Sequence, residues 1–122
     1  MIGSMGLVSS IGLGLALAKP NKKIVIIDGD GSFLMNLGSV ITTFAQNPSN
    51  LTWIVINNEA YGSTGNQETY AKNLNLKEMA KSVGIKNCYN YEEIDLNKII
   101  NNNESKIFVP KGLYGRPICQ CV

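Results

Sequence analysis

Two unbroken apolar runs, Ile24-Val25-Ile26-Ile27 and Leu51-Thr52-Trp53-Ile54-Val55-Ile56, limit what this chain can fold into more than anything else in it. Both are short and rich in β-branched residues, and both stop at a polar or glycine-containing turn. They read as strands over residues 23–28 and 51–57, covered on both faces. Between them Phe33, Leu37, Val40, Ile41 and Phe44 recur at helical spacing and predict one helix over 33–46, with Pro48 and Asn50 marking the turn after it. Parallel neighbours need a crossover of about a dozen residues, which such a helix supplies. The expectation is therefore an α/β fold, a parallel sheet flanked by helices.

The rest of the chain fits that plan. Residues 6–18, with Leu7, Val8, Ile11 and Leu15, are apolar nearly all round and predict a buried helix that ends before Pro20. Residues 1–20 end in Ala16-Leu17-Ala18 like a cleavable signal. However, no basic segment precedes the apolar stretch and four glycines interrupt it, so the helix is the better reading. Ala60 to Gln67 reads as a loop. Asn75 is an N-cap with Glu78 three residues on, and Leu76, Met79, Ala80 and Val83 form one stripe. Asn101-Asn102-Asn103 reads as an exposed loop, and Lys106-Ile107-Phe108-Val109 as a last strand stopped by Pro110. With 122 residues, a single domain over 1–122 is expected.

Several functions are set aside early. A net charge of +2 with no basic run longer than Lys22-Lys23 gives no footprint for nucleic acid. No stretch approaches the roughly 20 apolar residues that span a bilayer. There is no histidine, which removes histidine-based triads and most catalytic zinc sites. Three cysteines without a C-x-x-C spacing argue against a disulfide framework and for a reducing compartment, the cytoplasm.

The chemistry sits after the strands. Gly29-Asp30-Gly31-Ser32 follows the first, and Asn57-Asn58 follows the second, with Asp30 and Asn58 28 positions apart. In parallel sheets ligands bind at the carboxyl ends of strands. The glycines let the backbone turn and approach a ligand. Ser32 is expected to cap helix 33–46, whose free N–H groups favour phosphate. A carboxylate beside a phosphate is repulsive unless a cation bridges them, and Mg²⁺ takes oxygen ligands and shares phosphate oxygens readily. Asp30 and Asn58 would be two of those ligands.

Gly-Asp-Gly followed at this interval by Asn-Asn resembles the diphosphate-binding motif of thiamine diphosphate-dependent enzymes, over nearly all of residues 3–83. The resemblance implies the diphosphate-binding domain of that fold. It implies Mg²⁺ held by Asp30, the Asn58 side chain and the Ala60 carbonyl, and thiamine diphosphate held by Gly29, Gly31, Ser32 and the residues after Asn58, Tyr61 and Gly62 among them. Gly3-Ser4-Met5-Gly6 is similar to the segment that holds the aminopyrimidine. There the Gly3 carbonyl would accept from the amino group, and Met5 would be the apolar wedge that bends the cofactor.

Within the family, Gly3–Ala16, Asp28–Ser32 with Leu34–Ser39, and Tyr61–Gln67 are most similar to the beta subunits of sulfopyruvate decarboxylases, which act on the way to coenzyme M. Phosphonopyruvate decarboxylases are similar in the first two blocks. Tyr61, Ser63, Thr64, Asn66 and Gln67 would face a small anionic 2-oxo acid. The family also needs a glutamate against the cofactor's pyrimidine, carried by a separate domain that nothing here resembles. Glu78 reads as a helix cap, Glu92-Glu93 as a solvated turn, and Glu59 is passed over by the pattern. The resemblance therefore implies an alpha subunit that brings a pyrimidine-binding domain and the catalytic Glu. The chain begins almost at the pyrimidine-holding segment and ends soon after its last strand, so the domain is expected to be shortened at both ends. Two other readings stay open: a subunit acting on phosphonopyruvate or another 2-oxo acid, and a non-catalytic diphosphate-binding module.

Overall fold

The computed structural model describes residues 3–90 and 106–109. Helix α1 (Val8–Ala18) leads into strand β1 (Ile24–Gly29). Helices α2 (Asp30–Met35) and α3 (Gly38–Gln46) lead to β2 (Leu51–Ile56). A small hairpin of β3 (Ala60–Tyr61) and β4 (Gln67–Glu68) follows, then a 3-10 turn over Tyr70–Asn73 and helix α4 (Leu76–Ser82). Strands β5 (Cys88–Asn90) and β6 (Lys106–Val109) complete a four-stranded parallel sheet of order β1-β2-β6-β5. This is the α/β arrangement that the apolar runs imply.

The register fixes the site. β1 and β2 pair from Ile24 opposite Leu51 to Gly29 opposite Ile56. The two strands end level, so the residues that follow them emerge side by side.

One side of the sheet carries the core. Ile26, Trp53 and Val55 are buried with Phe33, Val40, Leu76 and Ala80. The Phe33 and Trp53 rings sit 5.2 Å apart at 59°, a tilted contact of the favoured kind. On α4 the Asn75 side chain accepts from the Glu78 N–H at 3.1 Å, as an N-cap does. The Glu78 carboxylate pairs with Lys81 instead of closing the cap box.

Four expectations need correction. Strand β1 is not covered on both faces: Val25 and Ile27 are 41% and 66% exposed, while Ile24, Ile26 and Asp28 face inward. It lies at one edge of the described sheet, and the described residues leave the face that carries Val25 and Ile27 uncovered. Helix α1 is not buried all round either. It buries Ser9, Gly12, Leu13 and Ala16, while Leu7, Ile11 and Leu15 form an exposed stripe. Small residues face inward because the helix lies close on the sheet: a Cβ on Gly12 would stand 2.4 Å from Ile26 Cγ2.

Residues 33–46 are two helices, not one, and Leu37, Ile41 and Phe44 are exposed. The break comes at Asn36, whose carbonyl accepts from the Ser39 N–H and Ser39 Oγ–H. Ser32 caps nothing, because α2 already begins at Asp30. Strand β5 has no sequence signal, since three residues carry no periodicity. Asn101–Asn103, Glu92, Glu93, Cys119, Cys121 and residues 111–122 lie outside the described residues.

Candidate functional site

The level strand ends open into a cleft of about 330 Å³. Met5, Gly29, Asp30, Gly31, Ser32, Asn58, Ala60, Tyr61, Gly62 and Ser63, all singled out in the sequence, line it. Asp28, Ile27 and Ile56 line it as well. Gly3 is exposed at φ +73°, the left-handed region that suits glycine, and does not line the cleft. Thr64, Asn66 and Gln67 do not line it either. The Thr64 hydroxyl donates to Gln67 Oε1 at 3.1 Å, and the Asn66 and Thr64 amides both donate to the Tyr61 carbonyl. What reads as a loop in the sequence is thus a hairpin held by its own hydrogen bonds.

The polar end of the cleft is an oxygen cluster. The amide end of the Asn58 side chain lies 2.9 Å from Asp30 Oδ1 and 2.9 Å from the Ala60 carbonyl oxygen, and with its nitrogen on that side it donates to both. With its oxygen on that side instead, three acceptors would meet and a cation would have to sit among them. The orientation of Asn58 thus depends on what fills the gap. Adjacent oxygens around an octahedral Mg²⁺ stand about 3.0 Å apart at bond lengths of about 2.1 Å. The two separations at Asn58 are near that spacing, and a carboxylate, an amide oxygen and a carbonyl are the hard donors such an ion takes.

Asp30 is held for this geometry. It is buried, and its second oxygen, Oδ2, accepts a short hydrogen bond from the Thr69 hydroxyl, which leaves Oδ1 turned to Asn58. The Thr69 N–H donates to the Glu59 carbonyl at 3.0 Å, so the segment after the hairpin is tied back to the turn between Asn58 and Ala60. Glu59 takes φ +58° there and is itself buried. Thr69 has no sequence signal: it is 39 positions from Asp30 and belongs to no motif.

Gly31 is needed for packing as well as for approach. A Cβ there would lie 2.3 Å from Tyr61 Cε1 and 3.1 Å from Thr69 Cγ2, so the Tyr61 ring occupies the space a side chain would take. At Gly29 a Cβ would meet nothing within 4 Å, which leaves the backbone open to the cleft.

Asp28 is the second carboxylate of the cleft. Burial pushes its pKa up from the ordinary value. The nearby Ser32 hydroxyl and the Gly29 N–H, which donates at 3.0 Å, pull it back, and the Asp30 charge pushes it up further. The Trp53 indole N–H also lowers it, yet makes no hydrogen bond of good geometry. Two carboxylates, and no Lys or Arg among the described lining residues, make the cleft hostile to an anion by itself. No three acidic, thiol or imidazole groups converge among the described residues, so Asp30 is the only charged donor of the oxygen cluster.

Residues 1–107 match the family described as thiamine pyrophosphate enzyme, C-terminal TPP binding domain. The chain is 47% identical over 116 residues to a protein of Methanocaldococcus jannaschii named sulfopyruvate decarboxylase subunit beta, covering 91% of this chain and 61% of that one. It is 39% identical to a phosphonopyruvate decarboxylase of Streptomyces viridochromogenes, over 78% of this chain and 24% of that one. Among solved structures it is similar to a protein of Mycobacterium smegmatis described as a thiamin diphosphate-dependent enzyme, with TM-score 0.74 at 20% identity, covering 93% of this chain and 23% of that one. The last likeness speaks to fold alone. The chain spans less than two thirds of the length of each relative.

Proposed function

The chain belongs to the thiamine pyrophosphate enzymes, through their C-terminal cofactor-binding domain, and on that premise we propose that it is the beta subunit of a decarboxylase converting 3-sulfopyruvate to sulfoacetaldehyde and carbon dioxide. The observation that carries the cofactor is the convergence of Asp30, the Asn58 amide and the Ala60 carbonyl in a cleft with two carboxylates and no described cation. A diphosphate enters such a cleft only with a divalent ion. Asp30 Oδ1, Asn58 Oδ1 and the Ala60 carbonyl would hold Mg²⁺, and Thr69 keeps Asp30 from turning away. The amides at Gly31, Ser32 and after Asn58 would meet the diphosphate. Helix α2 has six residues, so its dipole adds little and the ion does most of the neutralising.

When bound, thiamine diphosphate supplies the carbon nucleophile and the electron sink that decarboxylation of a 2-oxo acid requires. This chain's own residues bind and orient. Met5 would press on the cofactor from the side of the N-terminal segment, and the Tyr61 ring closes the cleft over Gly31. The relatives named for sulfopyruvate support that substrate. Its sulfonate finds no cation among the described lining residues, which supports an alpha subunit that supplies both a positive side chain and the glutamate against the pyrimidine. The reducing cytoplasm suits a chain whose described cysteine, Cys88, is a buried free thiol.

Native mass spectrometry of the gently purified complex, followed by assay, tests this. We expect a second polypeptide, the mass of thiamine diphosphate with magnesium, and sulfopyruvate consumption that phosphonopyruvate inhibits weakly. A complex that prefers phosphonopyruvate would move the substrate to the other relatives. A monomer with no affinity for the cofactor would sink the reading.

A further inference from the structure

Asn36 has no part in the reading above, yet it marks where the chain leaves the helix that its periodicity predicts. Helix α2 stops at Met35, and Asn36 takes φ −138° and ψ 57°, outside helical geometry. Its Nδ2 donates to the Gly6 carbonyl at 2.9 Å. On the other side of the same residue, the Gly6 N–H donates to Ser32 Oγ at 2.8 Å. Gly6 is thus gripped through both its polar groups by side chains four positions apart. It is buried at φ +84°, with Met35 Cβ 3.4 Å from where a side chain would start, so a residue other than glycine would be strained there.

Asn36 is itself held in place. Its carbonyl accepts from the Ser39 N–H at 3.0 Å and from Ser39 Oγ–H at 2.7 Å. Ser39 Oγ accepts from Ser9 Oγ at 2.8 Å, and both serines are buried. One chain of hydrogen bonds therefore joins helix α1, the break between α2 and α3, and Gly6. Asn36 does not line the cleft, but Met5, next to Gly6, does. Met5 is 39% exposed. Methionine has three rotatable bonds, so its own contacts define its position poorly. Its backbone anchor has to do so.

We propose that Asn36 is a positioning residue for the cofactor cleft: by holding the Gly6 carbonyl, while Ser32 holds the Gly6 N–H, it fixes Gly6 and with it the end of the segment that carries Met5. The proposal rests on the reading of Met5 given above, and it accounts for the helix break that the sequence does not show.

Amide hydrogen exchange on the full chain, in whatever assembly it forms and without cofactor, tests the grip alone. Asn36→Ala should speed exchange of peptides covering residues 3–12 about fivefold to tenfold, as loss of a hydrogen bond predicts, and leave α4 unchanged. Asn36→Asp keeps the size and removes the donor, so it should behave alike, and it stands in if the alanine variant does not fold. Unchanged exchange in both overturns the proposal. Calorimetry with thiamine diphosphate and Mg²⁺ then separates the two readings. Faster exchange with unchanged affinity, while Met5→Ala weakens binding, overturns the positioning role. Unchanged affinity in Met5→Ala as well puts the failure in the reading of the cleft.

Discussion

Gly31 leaves no room for a methyl group. A Cβ would meet Tyr61 Cε1 at 2.3 Å, so Gly31→Ala has to push the ring and its hairpin outward. We expect about tenfold weaker binding of thiamine diphosphate with Mg²⁺ by calorimetry, roughly 1.4 kcal/mol. Tyr61→Ala in the same chain should recover part of it, and wild-type affinity in Gly31→Ala would show that the packing does not matter. Cys88 answers to pH. Burial raises its thiol to about 11 against an ordinary 9.0, although Lys81 and Lys77 pull the other way. The folded protein keeps a proton there that the unfolded chain has lost. Stability from this group is therefore full below pH 9 and disappears as pH rises to about 11. In a Cys119→Ser, Cys121→Ser variant, alkylation should be negligible at pH 8 and climb only toward pH 11. Fast labelling at pH 8 would mean that the thiol is not buried.

Helix α1 and strand β1 meet through Gly12. In an open helix Gly→Ala gains about 1 kcal/mol. Here the added Cβ stands 2.4 Å from Ile26 Cγ2, and overpacking of this kind costs about 1–3 kcal/mol. Gly12→Ala should therefore lower the urea midpoint in the wild-type background and raise it in an Ile26→Ala background. A cycle without that change of sign would place the helix farther from the sheet. Asn50 ties the other end of this unit: the carbonyls of Ala16, Lys19 and Lys22 share the two hydrogens of its Nδ2, closing α1 and the turn before β1. The sequence shows Asn50 only as turn punctuation, because its three acceptors are 28 to 34 positions away.

The described structure leaves much apolar surface open, with Leu7, Ile11 and Leu15 on α1, Val25 and Ile27 on β1, and Ile41 and Phe44 on α3. Surface of that kind favours association. If an alpha subunit completes the site, mass action requires the melting temperature of this chain to rise with that subunit's concentration. Thermal denaturation across a partner titration checks it, and a flat response would sink the two-chain reading. Among the described residues no helix is long and apolar enough to cross a membrane.

What the sequence determined by itself was local. Two apolar runs made two parallel strands, Asn75 made a cap, and motif residues placed directly after strands lined one cleft because strand ends in register must emerge together. Tertiary structure decided whatever depends on distant partners. It put Thr69 on Asp30, split the predicted helix at Asn36, turned a predicted loop into a hairpin, and left one face of β1 open. Periodicity records which residues prefer an apolar side. It does not record what stands on that side, and a hydrogen bond across 30 or 39 positions leaves no trace in the order of the residues.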